Sequence, residues 1–84
     1  MVKLVYFAWI RERIGKSEEE IELPAAVETV SDLLAHLKGR GDEYELALEV
    51  PEVIHVAINR EHCQHSDAIG NAQEIALFPP MTGG

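Results

Sequence analysis

The 84-residue sequence has one cysteine, only seven Lys and Arg, and no apolar run long enough to cross a bilayer. Each shortage excludes something. A single Cys cannot staple the chain internally or supply a multi-cysteine zinc site, which suits a reducing, cytoplasmic setting. Seven cations against fifteen acids give a formal charge of −8, so nucleic acid and anionic membranes, both polyanions, would be repelled. The first apolar stretch, Leu4 to Ile10, runs at once into Arg11-Glu12-Arg13 and has no small-residue cleavage site, so it reads as neither span nor leader. Internal repeats, linkers and low-complexity stretches are missing as well. The length allows one domain with a modest core and a stability of about 4–13 kcal/mol. Such a core leaves little room for an internal cavity, so chemistry is expected at an edge, a surface or a terminus.

The charge that is present is uneven. Residues 1–16 hold Lys3, Arg11, Arg13 and Lys16 against Glu12 alone, a balance of +3, whereas residues 17–84 hold three cations against fourteen acids, or −11. A small basic edge on an acidic body suits steering toward a protein partner; the alternative is a solvated surface that serves solubility alone.

Branched and aromatic residues from Val2 to Ile10 predict a strand, with Val2, Leu4, Tyr6, Ala8 and Ile10 on one face and Val5, Phe7 and Trp9 on the other. A strand apolar on both faces is central, or its outer face meets something else. After a turn at Gly15-Lys16-Ser17, Glu18 to Leu23 predicts an acidic second strand with Ile21 and Leu23 inward, stopped by Pro24. The carboxylates of this run alternate between faces and carry no calcium-loop ladder, so they read as a solvated edge that discourages aggregation. Thr29 caps a helix with Asp32 at N3, and Val30, Leu33, Leu34 and Leu37 form its apolar stripe before Gly39 or Gly41. A short helix from Asp42 to about Glu49 is closed by Pro51. Val53 to Asn59 predicts a strand with Ile54, Val56 and Ile58 inward. Arg60 to Asp67 is irregular with room for a short strand, Gly70-Asn71 turns the chain, and Glu74 to Phe78 predicts the last strand.

One main helix and a short second one over a mixed sheet of four or five strands make an α+β, β-grasp arrangement. The first and last strands, the most apolar, are expected as central neighbours. Residues 1–78 form this domain, and residues 79–84 an extended tail. In that tail Pro79 and Pro80 lack amide hydrogens and hold φ near −65°, so the segment neither extends the sheet nor folds back as a helix. Met81, Thr82, Gly83 and Gly84 follow. Such an arm can thread a narrow channel and present the Gly84 α-carboxylate; the alternative is a frayed end. At average glycine usage of about 7%, two closing glycines arise by chance in roughly one chain in 200, so the stiff diproline and the β-grasp body strengthen the signal considerably.

The opening stretch ending Phe7-Ala8-Trp9-Ile10-Arg11-Glu12, the Ala57-Ile58-Asn59 segment and the close Ala76-Leu77-Phe78-Pro79-Pro80-Met81-Thr82-Gly83-Gly84 resemble the ubiquitin-like sulfur carriers that serve as small subunits of molybdopterin synthase. The resemblance covers the whole chain, and the close is its most specific part. It implies that an adenylyltransferase of the ubiquitin-activating type uses ATP to adenylate Gly84, and that sulfur then replaces AMP to leave a thiocarboxylate. The loaded arm, Pro79 to Gly83, enters the synthase large subunit in a heterotetramer. Two such transfers convert cyclic pyranopterin monophosphate into the dithiolene. A carboxylate is a poor electrophile until adenylation makes its oxygen a leaving group, and a thiocarboxylate sulfur is a soft nucleophile. The carrier is then a cosubstrate rather than an enzyme on its own, with no bound cofactor and no metal.

The resemblance further implies that Phe7 and Phe78 contact partners and that Arg11 lies beside them. The alternatives are burial of the two rings under a loop and a solvated strand end for Arg11. One departure is the His62-Cys63 pair, where the family carries apolar residues of its partner patch. His62 and His65, three apart, face opposite sides of an extended strand and cannot share a metal there, and Cys63 has no orienting group for nucleophilic work. Sibling carriers for thiamine or tRNA thiolation, and protein modifiers, share the same ending chemistry. A plain β-grasp interaction module would make no use of Gly84. A self-contained hydrolase lacks a convergent nucleophile, base and oxyanion site.

Overall fold

Residues 1–80 are described by the computed structural model. Val2–Tyr6 (β1) alternates as its apolar pattern dictates: Val2, Leu4 and Tyr6 are buried, whereas Lys3 and Val5 are partly exposed on the opposite face. It lies between Glu18–Ile21 (β2), antiparallel, and Glu74–Phe78 (β5), parallel. His55–Ile58 (β3) pairs antiparallel with β5 and with Glu61–Cys63 (β4). The sheet order is β2-β1-β5-β3-β4. The first and last strands are therefore central neighbours, and the architecture is the mixed five-stranded β-grasp sheet.

Among the described residues three α-helices attend the sheet. Ala8–Ile14 (α1) follows β1, and Val30–Lys38 (α2) and Asp42–Ala47 (α3) follow β2. Thr29 caps α2 as expected: its hydroxyl accepts from Asp32 N–H at 3.2 Å, and the Asp32 carboxylate accepts from Thr29 N–H at 3.1 Å. That reciprocal capping box starts the helix. Val30, Leu33, Leu34 and Leu37 then pack with Leu4, Val56, Ile75 and Leu77 in one core.

The opening strand is shorter than its apolar run. It stops at Tyr6, and the residues assigned to its continuation form α1. Ile10 and Ile14, four apart, are buried on one side of that helix, and the Arg13 guanidinium lies 4.6 Å from the ring of Trp9, also four apart. Helical spacing explains both pairs better than alternation does. Gly15, at φ 89°, ends the helix in a left-handed conformation that favours glycine. The connection between β1 and β2 is thus a helix rather than a tight hairpin, although the strands still pair.

Smaller differences share a theme of early termination. The second strand ends at Ile21, leaving Leu23 partly buried against the core. The short helix ends at Ala47, and Pro51–Val53 forms a 3-10 turn that Pro51 can open but not precede with helix. The third strand starts at His55 because Val53 belongs to that turn, and it ends at Ile58 because Asn59 takes φ 49°.

Candidate functional site

The outer face of the sheet, opposite α2, carries Val5, Ala57, Ala76, His55, His62 and Phe78. Their pairing follows from register: His55 lies opposite Phe78, Ala57 opposite Ala76, and Ala57 opposite His62. β5 is the strand that delivers the chain to Pro79 and Pro80, so Phe78 stands where the tail leaves the body.

Phe7 is brought to the same place from the other central strand. Its N–H donates to Leu77 O at 3.1 Å, and extended φ and ψ of −123° and 154° make it the residue before α1. Together Phe7, Ala8, Trp9, Ala76, Phe78, Pro79 and Pro80 line an open, mostly apolar groove of about 750 Å³. Phe7 is 47% exposed, and Phe78 is partly exposed. Among the described residues the pair forms an accessible apolar surface of the kind that marks a binding site. Arg11 sits one helical turn beyond Phe7, its N–H 3.4 Å from Phe7 O, and its side chain is exposed. It lies in α1 rather than at the end of a strand.

The basic edge resolves into individual contacts. Lys3 pairs with Glu18 at 3.1 Å, Lys16 with Glu19 at 3.1 Å, and Arg13 stacks on Trp9 and donates to Leu46 O at 3.4 Å. Among the described residues, Arg11 is the cation of this group without an acidic or aromatic partner.

Glu19 departs from the solvated edge expected of the acidic run. It shares the inward parity of Ile21, and its side chain is 11% exposed. The hydroxyls of Tyr6 and Tyr44 both donate to its Oε2 at 2.6 Å, while Lys16 and Arg40 reach Oε1 at 3.1 and 3.3 Å. Burial works to raise its pKa, but hydrogen bonds from Tyr44, Tyr6 and Lys16 and the charge of Arg40 prevail, lowering it to about 2. Burial and the same carboxylate push Tyr6 and Tyr44 upward. This cluster ties β1, β2 and α3 together behind the groove. Only the sharing of parity with Ile21 signals it in the sequence.

The histidines and the cysteine go separate ways. His62 meets Phe78 edge-on at 5.2 Å, so it belongs to the outer face, where the sequence left its contact in doubt. His65 instead approaches Ile54 O with Nε2 at 2.7 Å. Cys63 donates to Val56 O at 3.3 Å, and burial, with the Asp67 charge, raises its thiol pKa. That environment works against a thiolate nucleophile. Met81, Thr82, Gly83 and Gly84, the tail residues singled out from the sequence, lie outside the described residues.

Residues 4–84 match the model of the ThiS family. The molybdopterin synthase sulfur carrier subunit of Haemophilus influenzae is 39% identical over 84 residues, covering all of both chains. Among solved structures, a putative molybdopterin converting factor, subunit 1, from Pyrococcus furiosus superposes with a TM-score of 0.73 at 27% identity, over 95% of this chain and 97% of that one. The small archaeal modifier protein 1 of Haloferax volcanii superposes at 0.70 with 27% identity, again over 95% and 97%.

Proposed function

The chain belongs to the ThiS family, and from that membership we propose that it is the sulfur carrier subunit of a molybdopterin synthase. The observation that carries the reading is where the tail begins. The central strand β5 ends on the exposed Phe7–Phe78 groove, and Pro79 and Pro80 line that same groove before the chain runs on to Gly84. A partner that docks on the aromatic pair is therefore set beside the arm it must receive. The full-length similarity to a carrier subunit supports the same assignment.

In this reading Gly84 is the reacting residue. An adenylyltransferase of the ubiquitin-activating type would use ATP to convert its carboxylate into an acyl adenylate, and sulfur would displace AMP to give the thiocarboxylate. Pro79, Pro80, Met81, Thr82 and Gly83 thread the arm into the large subunit. Phe7, Phe78 and Arg11 hold the body against it. The acids, bases and phosphate-binding groups belong to the partners, so the carrier is non-catalytic alone and needs no cofactor of its own. Among the described residues no helix is long and apolar enough to cross a membrane, and the work is assigned to the cytoplasm.

The decisive test is activation in vitro with ATP, the adenylating enzyme and a sulfur donor, followed by intact mass. One oxygen-to-sulfur exchange localised to Gly84 is expected, and dithiolene should form once large subunit and pterin precursor are added. An unchanged mass under conditions that load an authentic carrier overturns the proposal. The likeness to a protein modifier favours one second reading, conjugation of Gly84 to lysines. It would appear as a ladder of higher-mass species on a blot of cell extract.

A further inference from the structure

Two imidazoles flank Phe78 on the β4-edge side of the groove-bearing face. His55 on β3 stacks near-parallel on Phe78, with ring centroids 5.7 Å apart and 15° between planes, and His62 on β4 meets the same ring edge-on at 5.2 Å. The two imidazole centroids are 5.8 Å apart. Both side chains are exposed. Among the described residues, neither ring nitrogen pair takes part in a hydrogen bond or an ion pair within the chain.

We infer that His55 and His62 form a polar flank of the docking face beside Phe78 and select a partner surface that sets a carboxylate against them. The inference rests on the reading of this face as the docking surface. A partner seated on Phe78 must cover the flanking imidazoles too. A covered N–H left without an acceptor weakens the complex, so the partner surface has to answer them. Rings this close can both donate to one carboxylate, and charge-assisted hydrogen bonds are the stronger kind. An acid brought to this molecule is otherwise repelled by its net charge of −8. Attraction confined to this flank of the face therefore fixes register as well as affinity.

The consequence is a signed pH dependence. Imidazole changes charge between pH 5 and 8, and the imidazolium form favours a carboxylate but opposes a dry apolar surface. The charged groups on the elements around the pair are Glu61 beside His62, Glu74 on β5 with Arg60 at 3.9 Å, and Glu52 ahead of β3. Farther across the sheet are Lys3, Glu18 and Glu20, with Arg11 beyond Phe7. None of these forms an ion pair with either imidazole among the described residues, so the pair remains available to a partner.

The test measures the dissociation constant of the full-length chain with the synthase large subunit between about pH 8 and about pH 6. Binding of the parent chain should tighten roughly three- to tenfold on acidification. The double variant His55→Gln/His62→Gln, which keeps polar groups but cannot take up a proton, should lose that slope and remain folded by circular dichroism. Affinity that is flat or weakens toward low pH overturns the inference, as does a slope that survives in the double variant. Phe78→Ala separates the premise from the conclusion. Undiminished binding by that variant removes the docking face itself, whereas lost binding with the wrong pH sign in the parent chain removes only the carboxylate partner.

Discussion

Glu19 gathers two phenol hydroxyls, an ammonium and a guanidinium around one nearly buried carboxylate. Its charge is what makes four donors compatible with so little water. Glu19→Gln keeps the shape but removes the charge and turns one acceptor into an NH2 that faces donors, which should cost roughly 1–3 kcal/mol in urea unfolding. The pH dependence has a definite sign. Because the folded carboxyl is lowered from its ordinary 4.5 to about 2, its contribution is complete above pH about 4.5 and is lost as pH falls toward about 2. The parent protein should therefore lose stability through that window, and the Gln variant should lack that share of the loss; parallel pH profiles would contradict the assignment. This residue also shows why the acidic run was only half legible in the sequence. Alternation correctly gives two faces, but whether the inward face is lined by solvent or by Tyr6 and Tyr44 depends on contacts separated by 13 and 25 residues. Asn59 is similar. Its Oδ1 accepts from the N–H groups of Gln73 and Glu74, both at 3.0 Å, and thereby pins the start of β5. No local pattern announces that bond.

The hairpin from β3 to β4 turns on two residues, Asn59 and Arg60, both left-handed at φ 49° and 71°. These are the signs of a type I′ turn, whose twist matches the flanking strands and which prefers Asn followed by Gly. Asn59 suits its place; Arg60 does not. A side chain in this conformation costs about 1–2 kcal/mol, and glycine returns part of the gain through greater freedom in the unfolded chain. The ion pair of Arg60 with Glu74 is long, at 3.9 Å, and the arginine side chain is 87% exposed, so little is lost with it. Arg60→Gly should thus stabilise the domain by roughly 0.5–1 kcal/mol, read as a higher midpoint in denaturant at unchanged slope; a lower midpoint would contradict the strain argument. At this scale legibility depends on whether a signal is local. The Thr29–Asp32 cap and the Val30–Leu37 stripe define α2 by neighbours alone, and α2 formed where expected. The stretch after Tyr6 satisfies both strand alternation and the four-residue spacing of Ile10 and Ile14. Contact of α1 with α3 and β5 decides between them. Pro51 bars the short helix from continuing, yet it marks neither the helix end at Ala47 nor the 3-10 turn it opens.

Across the whole molecule, the buried core and the proposed docking surface lie on opposite faces of one sheet. The core side holds Leu4, Tyr6, Val56, Ile75 and Leu77, all essentially inaccessible, while the outer side exposes Phe7 and Phe78 beside the root of the tail. The family ending in Phe78-Pro79-Pro80 was legible in the sequence, but the meeting of Phe7 with Phe78 was not, because it needs the parallel pairing of β1 with β5 and the bond from Phe7 N–H to Leu77 O. That bond uses the backbone alone, so shortening the side chain leaves it in place. Phe7→Ala removes a ring that is already 47% exposed, and the thermal midpoint should move by only a few degrees, corresponding to about 1 kcal/mol or less. Partner binding should suffer far more. Losing an aromatic anchor at the centre of an interface costs about 2 kcal/mol or more, some thirtyfold or greater in dissociation constant. That loss should lie in the dissociation rate. Ionic strength should act on the other rate. A body of charge −8 is steered toward a basic partner surface, so added salt should slow association of parent chain and variant alike. Stopped-flow kinetics with the large subunit separates the two. A Phe7→Ala variant that dissociates as slowly as the parent chain would show that the ring is not the anchor, and the outer face would then owe its exposure to something other than docking.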